Sequence, residues 1–259
     1  MARRARLYGR LRGRVHAAAA LGLALGLACA SVPSGKEREA SDIHYQLGAE
    51  ALAQNRRADA LRDFEESLKA DPRNANAWLG RGITHQFFGK NEEAERDYRQ
   101  ALEIAPSPAA HNALGQLLAA TGRLQPAVLE FDQALTDMTY REAYVARCNR
   151  GQALHQLGRK EEGLADLRAC VAAEPRWCQG HRELGRAHLL DGRVKEALEA
   201  LRRYTELCEK VPDAWFQLGL AQMKAGEIDA ARDAFDRCRT VAGEDGLGEE
   251  CRRRAGALQ

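Results

Sequence analysis

The run ANAWLGRGITHQFFGKNEEAERDYRQALEIAPS, residues 75–107, decides the fold. It holds Arg81-Gly82, a turn glycine at Gly89, a small residue at Ala94, an aromatic at Tyr98 and a closing Pro106. The same marks recur on both sides of it. Leu-Gly or Arg-Gly pairs stand at Leu47-Gly48, Arg81-Gly82, Leu114-Gly115, Arg150-Gly151, Leu184-Gly185 and Leu218-Gly219, spaced 34, 33, 36, 34 and 34 residues apart. Twelve places after each glycine comes a small residue: Ala60, Ala94, Ala127, Gly163, Ala197 and Ala231. Four later comes a large one: Phe64, Tyr98, Phe131, Leu167, Leu201 and Phe235. Turn residues fall between, at Asn55, Gly89, Gly122, Gly158, Gly192 and Gly226.

A strict period of this length means stacked supersecondary units that cannot bury their apolar faces alone. Glycine and alanine let two helices of one unit approach, and the aromatic fills the space beside the contact. The period and these residues resemble the tetratricopeptide repeat. The resemblance implies an all-α, superhelical solenoid of about six helix hairpins: 41–74, 75–107, 108–143, 144–177, 178–211 and 212–245. Residues 246–259 read as a polar helix capping the last apolar face.

Taking the first residue of each pair as position 7 of its repeat, positions 4, 7, 8 and 11 pack inside the array. His44, His111 and His181 fall at position 4 and His85 and His188 at position 11, which makes them interior packing residues and not a metal centre. Trp78 and Trp215 read as core by the same argument. In this family the concave groove is lined from the first helix of each hairpin. Repeat 2 offers Leu79, Ile83, Gln86 and Phe87; repeats 3 and 4 offer Asn112, Gln116, Asn149, Gln152, His155 and Gln156. Repeat 5 offers Arg182 and Arg186, and repeat 6 Phe216, Leu220 and Met223. The groove thus runs apolar, amide-rich, basic, apolar. Apolar clusters at nominally exposed positions mark partner sites, unless the tether or a curled terminus covers one. An amide floor suits a peptide backbone.

The N-terminus reads as an export signal. Residues 1–28 carry six arginines and no acid, so losing them takes the formal charge from +2 to −4 and removes the basic balance that would suggest nucleic acid. Val15 to Ala28 is an apolar stretch suited to a signal peptide and short for a membrane span. It ends Gly26-Leu27-Ala28-Cys29, which resembles a bacterial lipobox with Cys29 as the acylated residue; Gly26 departs from the pattern. The alternative is ordinary cleavage after Ala28 or Ala30, leaving a soluble protein. Residues 29–40 read as a lipidated, flexible tether.

Six cysteines remain after Cys29, all beyond residue 145: Cys148, Cys170, Cys178, Cys208, Cys238 and Cys251. An even set in an exported chain suggests disulfides. Helix levels favour Cys238–Cys251. For the other four, Cys148–Cys170 and Cys178–Cys208 are slightly off level but each stays within one hairpin, whereas pairing Cys170 with Cys178 would strand Cys148 and Cys208. Free apolar core cysteines are the alternative. No Cys-x-x-Cys, phosphate-binding glycine loop, Gly-x-Ser-x-Gly or His-Glu-x-x-His occurs, so a non-enzymatic scaffold without cofactor or metal is expected.

Signal, lipobox and six repeats together resemble the outer-membrane pilotin lipoproteins of type IV pili, the PilF/PilW group with its myxobacterial Tgl-like members. That resemblance implies a lipid-anchored scaffold on the periplasmic face of the outer membrane, whose protein partner is a secretin subunit that it helps to assemble. The rivals are a general envelope-biogenesis tetratricopeptide lipoprotein and a soluble periplasmic chaperone-like scaffold.

Overall fold

The computed structural model describes residues 32–258, so Cys29 and the export segment lie outside the described part. The chain divides into two units, Met1–Val32 and Pro33–Gln259, and every described helix belongs to the second. Among the described residues there are thirteen helices and no strand. Six hairpins follow one another: α1 (Gly35–Ala53) with α2 (Arg57–Ala70), α3 (Ala75–Phe87) with α4 (Asn91–Ile104), α5 (Pro108–Ala120) with α6 (Leu124–Ala134), α7 (Ala143–Gln156) with α8 (Lys160–Ala173), α9 (Cys178–Leu190) with α10 (Val194–Leu207), and α11 (Pro212–Ala225) with α12 (Ile228–Ala242). α13 (Gly246–Gly256) closes the array. None of these helices is long and apolar enough to cross a membrane.

α1 starts earlier than the tether reading of residues 29–40 allows. Ser34 accepts a hydrogen bond from the Glu37 amide, and the Glu37 carboxylate accepts one from the Ser34 amide. This reciprocal cap satisfies two donors that a helix start leaves open. Residues 35–40 are therefore helical.

Within each hairpin the repeat marks meet. A Cβ built on Gly115 would lie 2.6 Å from the Phe131 ring, too close for any side chain. In the fourth hairpin a Cβ on Gly163 would lie 2.6 Å from the Gly151 carbonyl, so the helices touch backbone to backbone with Leu167 beside them. The turn glycines adopt positive φ, and Asn55 takes the same conformation at φ 58° in the first turn.

A second register explains why Arg replaces Leu in two pairs. Sixteen residues after position 7, repeats 1 to 4 carry Asp63, Asp97, Glu130 and Asp166 on the second helix. Arg81 grips Asp97 through two bonds of 3.0 and 2.7 Å, and His85 adds a third at 2.9 Å. Arg150 grips Asp166 at 2.6 and 2.8 Å and reaches Asp132 at 2.6 Å. His111 bonds Glu130 at 2.7 Å, and His44 lies 3.8 Å from Asp63. Repeats 5 and 6 have the buried Ala200 and Ala234 here instead. A planar guanidinium facing a carboxylate gives a paired, oriented contact in place of an apolar one. His181 is buried and bonds the Pro175 carbonyl at 3.0 Å; His188 is buried too, and burial, with help from Arg168, lowers its pKa.

The tryptophans depart from the expected core placement. Trp78 and Trp215 are half-buried, because each turns its ring NH onto a carbonyl of the preceding loop, Pro72 and Glu209, at 2.8 Å. Each exposed ring face carries a guanidinium, Arg81 on Trp78 at 4.5 Å and Arg237 on Trp215 at 5.4 Å.

Three disulfides tie the C-terminal half. Cys148–Cys170 joins α7 to α8, Cys178–Cys208 joins the two ends of the fifth hairpin, and Cys238–Cys251 joins α12 to α13. Asp245 caps α13 by accepting the Gly248 amide at 2.7 Å. Cys251 and Ala255 are buried on the inner face of α13, and Leu258 packs with Ala255 against Phe235 and Ala231.

Candidate protein-binding groove

The first helices of repeats 2 and 3 bring Leu79, Ile83, Gln86, Phe87, Asn112 and Gln116 to one cavity of about 530 Å³. Leu79 and Ile83 are half-buried because their inner sides pack on the large core cluster around Leu117 and Phe131. Phe87 is 53% exposed, and the Arg57 guanidinium lies 4.6 Å from its ring centre. Tyr98 donates its hydroxyl proton to Gln86 at 2.8 Å, which holds that amide across the floor. Burial, and secondarily Asp97, raises the Tyr98 pKa, so the hydroxyl stays a donor.

The amide floor continues into repeat 4. Asn149 donates to Asn112 at 3.0 Å, linking α7 to α5. Gln152, His155 and Gln156 line a separate small pocket with Glu183, Arg186 and Leu190. His155 is fixed to Asp191 at 3.0 Å, and Lys160 pairs with the other oxygen at 2.7 Å. Burial pushes the Asp191 carboxyl up, but hydrogen bonds from Lys160 and His155 outweigh it and hold the group below the ordinary carboxylate range.

Two expectations change here. The basic stretch of repeat 5 is not open charge: Arg182 pairs with Asp213 at 2.8 Å and Glu183 at 3.3 Å, and Arg186 with Glu183 at 3.6 Å. Glu183 supplies the neutralising charge although burial raises its pKa against the pull of both arginines. The apolar set of repeat 6 is not an open patch either. Phe216, Leu220 and Met223 are half-buried against Phe235, Ala255 and Leu258, and Arg254 lies 5.6 Å from the Phe216 ring centre. The C-terminal helix covers this cluster, at the place where a following hairpin would pack in such an array.

Tyr140 and Glu142, from the loop between α6 and α7, form one wall of the large cavity. Burial, with help from Glu142 and Tyr144, pushes the Tyr140 hydroxyl up to about 12. Position counting within helices misses them. Their signal is the one spacing of 36, between Leu114 and Arg150, which lengthens this loop.

The arrangement is a groove with an apolar mouth and an amide floor, with the acidic Glu142 on one wall, a lining suited to holding a polypeptide. Among the described residues no cluster of three or more His, Cys, Asp or Glu side chains could hold a metal ion.

A helical solenoid of this design is a protein-binding scaffold. Its sequence matches tetratricopeptide repeat profiles over residues 51–117, 144–176, 179–221 and 213–241, and the chain belongs to the tetratricopeptide repeat proteins. The crystal structure of PilW, described as a widely conserved type IV pilus biogenesis factor, superposes with a TM-score of 0.75. It is 28% identical, over 81% of this chain and 97% of PilW. PilF of Pseudomonas aeruginosa has the same fold at a TM-score of 0.71 and 16% identity, over 84% of this chain and 99% of PilF. Among curated proteins, mouse Superkiller complex protein 3 is 25% identical over 76% of this chain. The chain spans only 13% of that protein's length and 41% of human DnaJ homolog subfamily C member 3.

Proposed function

We propose that this chain is an outer-membrane, lipid-anchored scaffold that binds a secretin subunit of a type IV pilus and promotes its assembly, acting without catalysis. The observation that carries the reading is the likeness to PilW, which extends over nearly all of that protein. Two features of the chain support it. The cavity of Leu79, Ile83 and Phe87 over an amide floor fits a polypeptide segment with apolar side chains. The three disulfides use six of the seven cysteines and leave Cys29 as the odd sulfur, at the place where the lipobox puts a diacylglyceryl thioether. Held at the membrane, the groove raises the local concentration of secretin subunits and favours ring closure.

The test is a groove variant carrying Leu79→Glu, Ile83→Glu and Phe87→Glu, expressed in place of the natural chain. Heat-resistant secretin multimers should disappear from membrane extracts while the helical circular dichroism of the purified variant is retained. Multimers at the natural level with a folded variant would sink the reading.

A further inference from the structure

Five of the six hairpins place a small, buried residue four positions before position 7: Ala77, Ala110, Ala146, Gly180 and Ala214. There the preceding hairpin packs down onto the helix. The first hairpin has Ile43 at that place, and Ile43 is 52% exposed. Position 7 shows the same contrast. Leu114 and Leu218 are 2% and 6% exposed beneath their preceding hairpins, whereas Leu47 is 46% exposed. Ile43 and Leu47 are one helical turn apart and form an apolar stripe on the outer end of the array. The opposite end is closed by α13, and solenoid ends ordinarily present polar faces. Among the described residues the stripe is therefore an unpartnered end.

Its chemistry limits what can cover it. The seat for a further hairpin of this type, from this chain or a second copy, is a small residue; Ile43 would hold such a hairpin off. A fluid hydrocarbon boundary adapts to a branched side chain. Chain length supplies the second argument. α1 begins at Gly35, so only five residues separate it from Cys29. Those steps reach roughly 20 Å at full extension, and Ile43 lies about 12 Å further along the helix. Glu39 and Glu50 border the stripe and are exposed, so apolar area and not attraction to anionic lipid would drive contact. We infer that the Ile43–Leu47 face of α1 rests on the lipid surface, so that the array is seated against the membrane at its first helix instead of swinging on a long tether. This rests on the lipid-anchor reading of Cys29.

The experiment separates the two. Whether cells acylate Cys29 is read from the intact mass of protein extracted from membranes. The seating is tested independently on the chain from Cys29 onward, coupled through that one free thiol to a maleimide phospholipid in phosphatidylcholine vesicles. A photo-reactive diazirine analogue of leucine is placed at position 43, at position 47 or, for comparison, at the fully exposed Met138, each variant being checked for helical content. Illumination should give phospholipid-mass adducts at 43 and 47 and none at 138. Chain-to-chain adducts at 43 and 47, or lipid adducts no more abundant there than at 138, would overturn the inference.

Discussion

Single residues in this array act through contacts on the scale of one methyl group. Gly115 faces the Phe131 ring so closely that Gly115→Ala should destabilise the protein by about 1–3 kcal/mol through overpacking, read as a lower urea midpoint with unchanged slope. Asp191 is a residue of another kind, a buried carboxylate whose pKa is held down by Lys160 and His155. A depressed carboxylate stabilises the fold above its unfolded pKa of about 3.9 and loses that contribution as pH falls through the folded value. Asp191→Asn should therefore cost about 1–3 kcal/mol at pH 7. The difference from the natural chain should shrink steadily below about pH 4, as paired urea titrations at several pH values would record. The small and large residues at each helix contact are legible in the sequence. The partner of each carboxylate is not, because position 23 is polar in four repeats and its donor sits variously at positions 4, 7 and 11 of the other helix.

At the scale of elements, α13 is the piece with most to lose. It covers Phe216, Leu220 and Met223 and is tied to α12 by Cys238–Cys251; the Arg232 guanidinium also holds the Leu258 carbonyl. That disulfide closes a short loop, worth about 3 kcal/mol in the chain-entropy view. Replacing both cysteines by serine should raise amide exchange throughout residues 246–256 and expose the three apolar side chains to a hydrophobic dye, with the first three hairpins unchanged. Equal exchange in the variant would mean that packing alone holds the cap. A capping helix is readable from sequence as a polar tail after the last repeat. That it annexes one end of the expected groove is not, since helical position alone does not say which exposed face the chain folds back upon. The loop between α6 and α7 teaches the converse: a spacing of 36 announces extra residues, and only the fold shows Tyr140 and Glu142 turned to the cavity wall.

The whole molecule is asymmetric. The groove cavity and its apolar mouth belong to hairpins 2 and 3, which contain no cysteine, while all three disulfides lie in hairpins 4 to 6 and the cap. Stability in such an array is nearly a sum over repeats and their interfaces. Reduction should therefore raise exchange first beyond residue 143 and leave residues 57–120 close to their oxidised rates, as exchange measured with and without reductant would show. Sequence by itself determined the repeat period and the residues at each helix contact, because a 34-residue period and small-to-large complementarity are local properties of the chain. Tertiary structure alone decided which apolar faces stay open. Exposure of a helical side chain depends on what stacks beside it: Phe87 keeps an open face, Phe216 lies under the returning C-terminus, and Leu47 stands uncovered because, among the described residues, no hairpin stacks on its outer side.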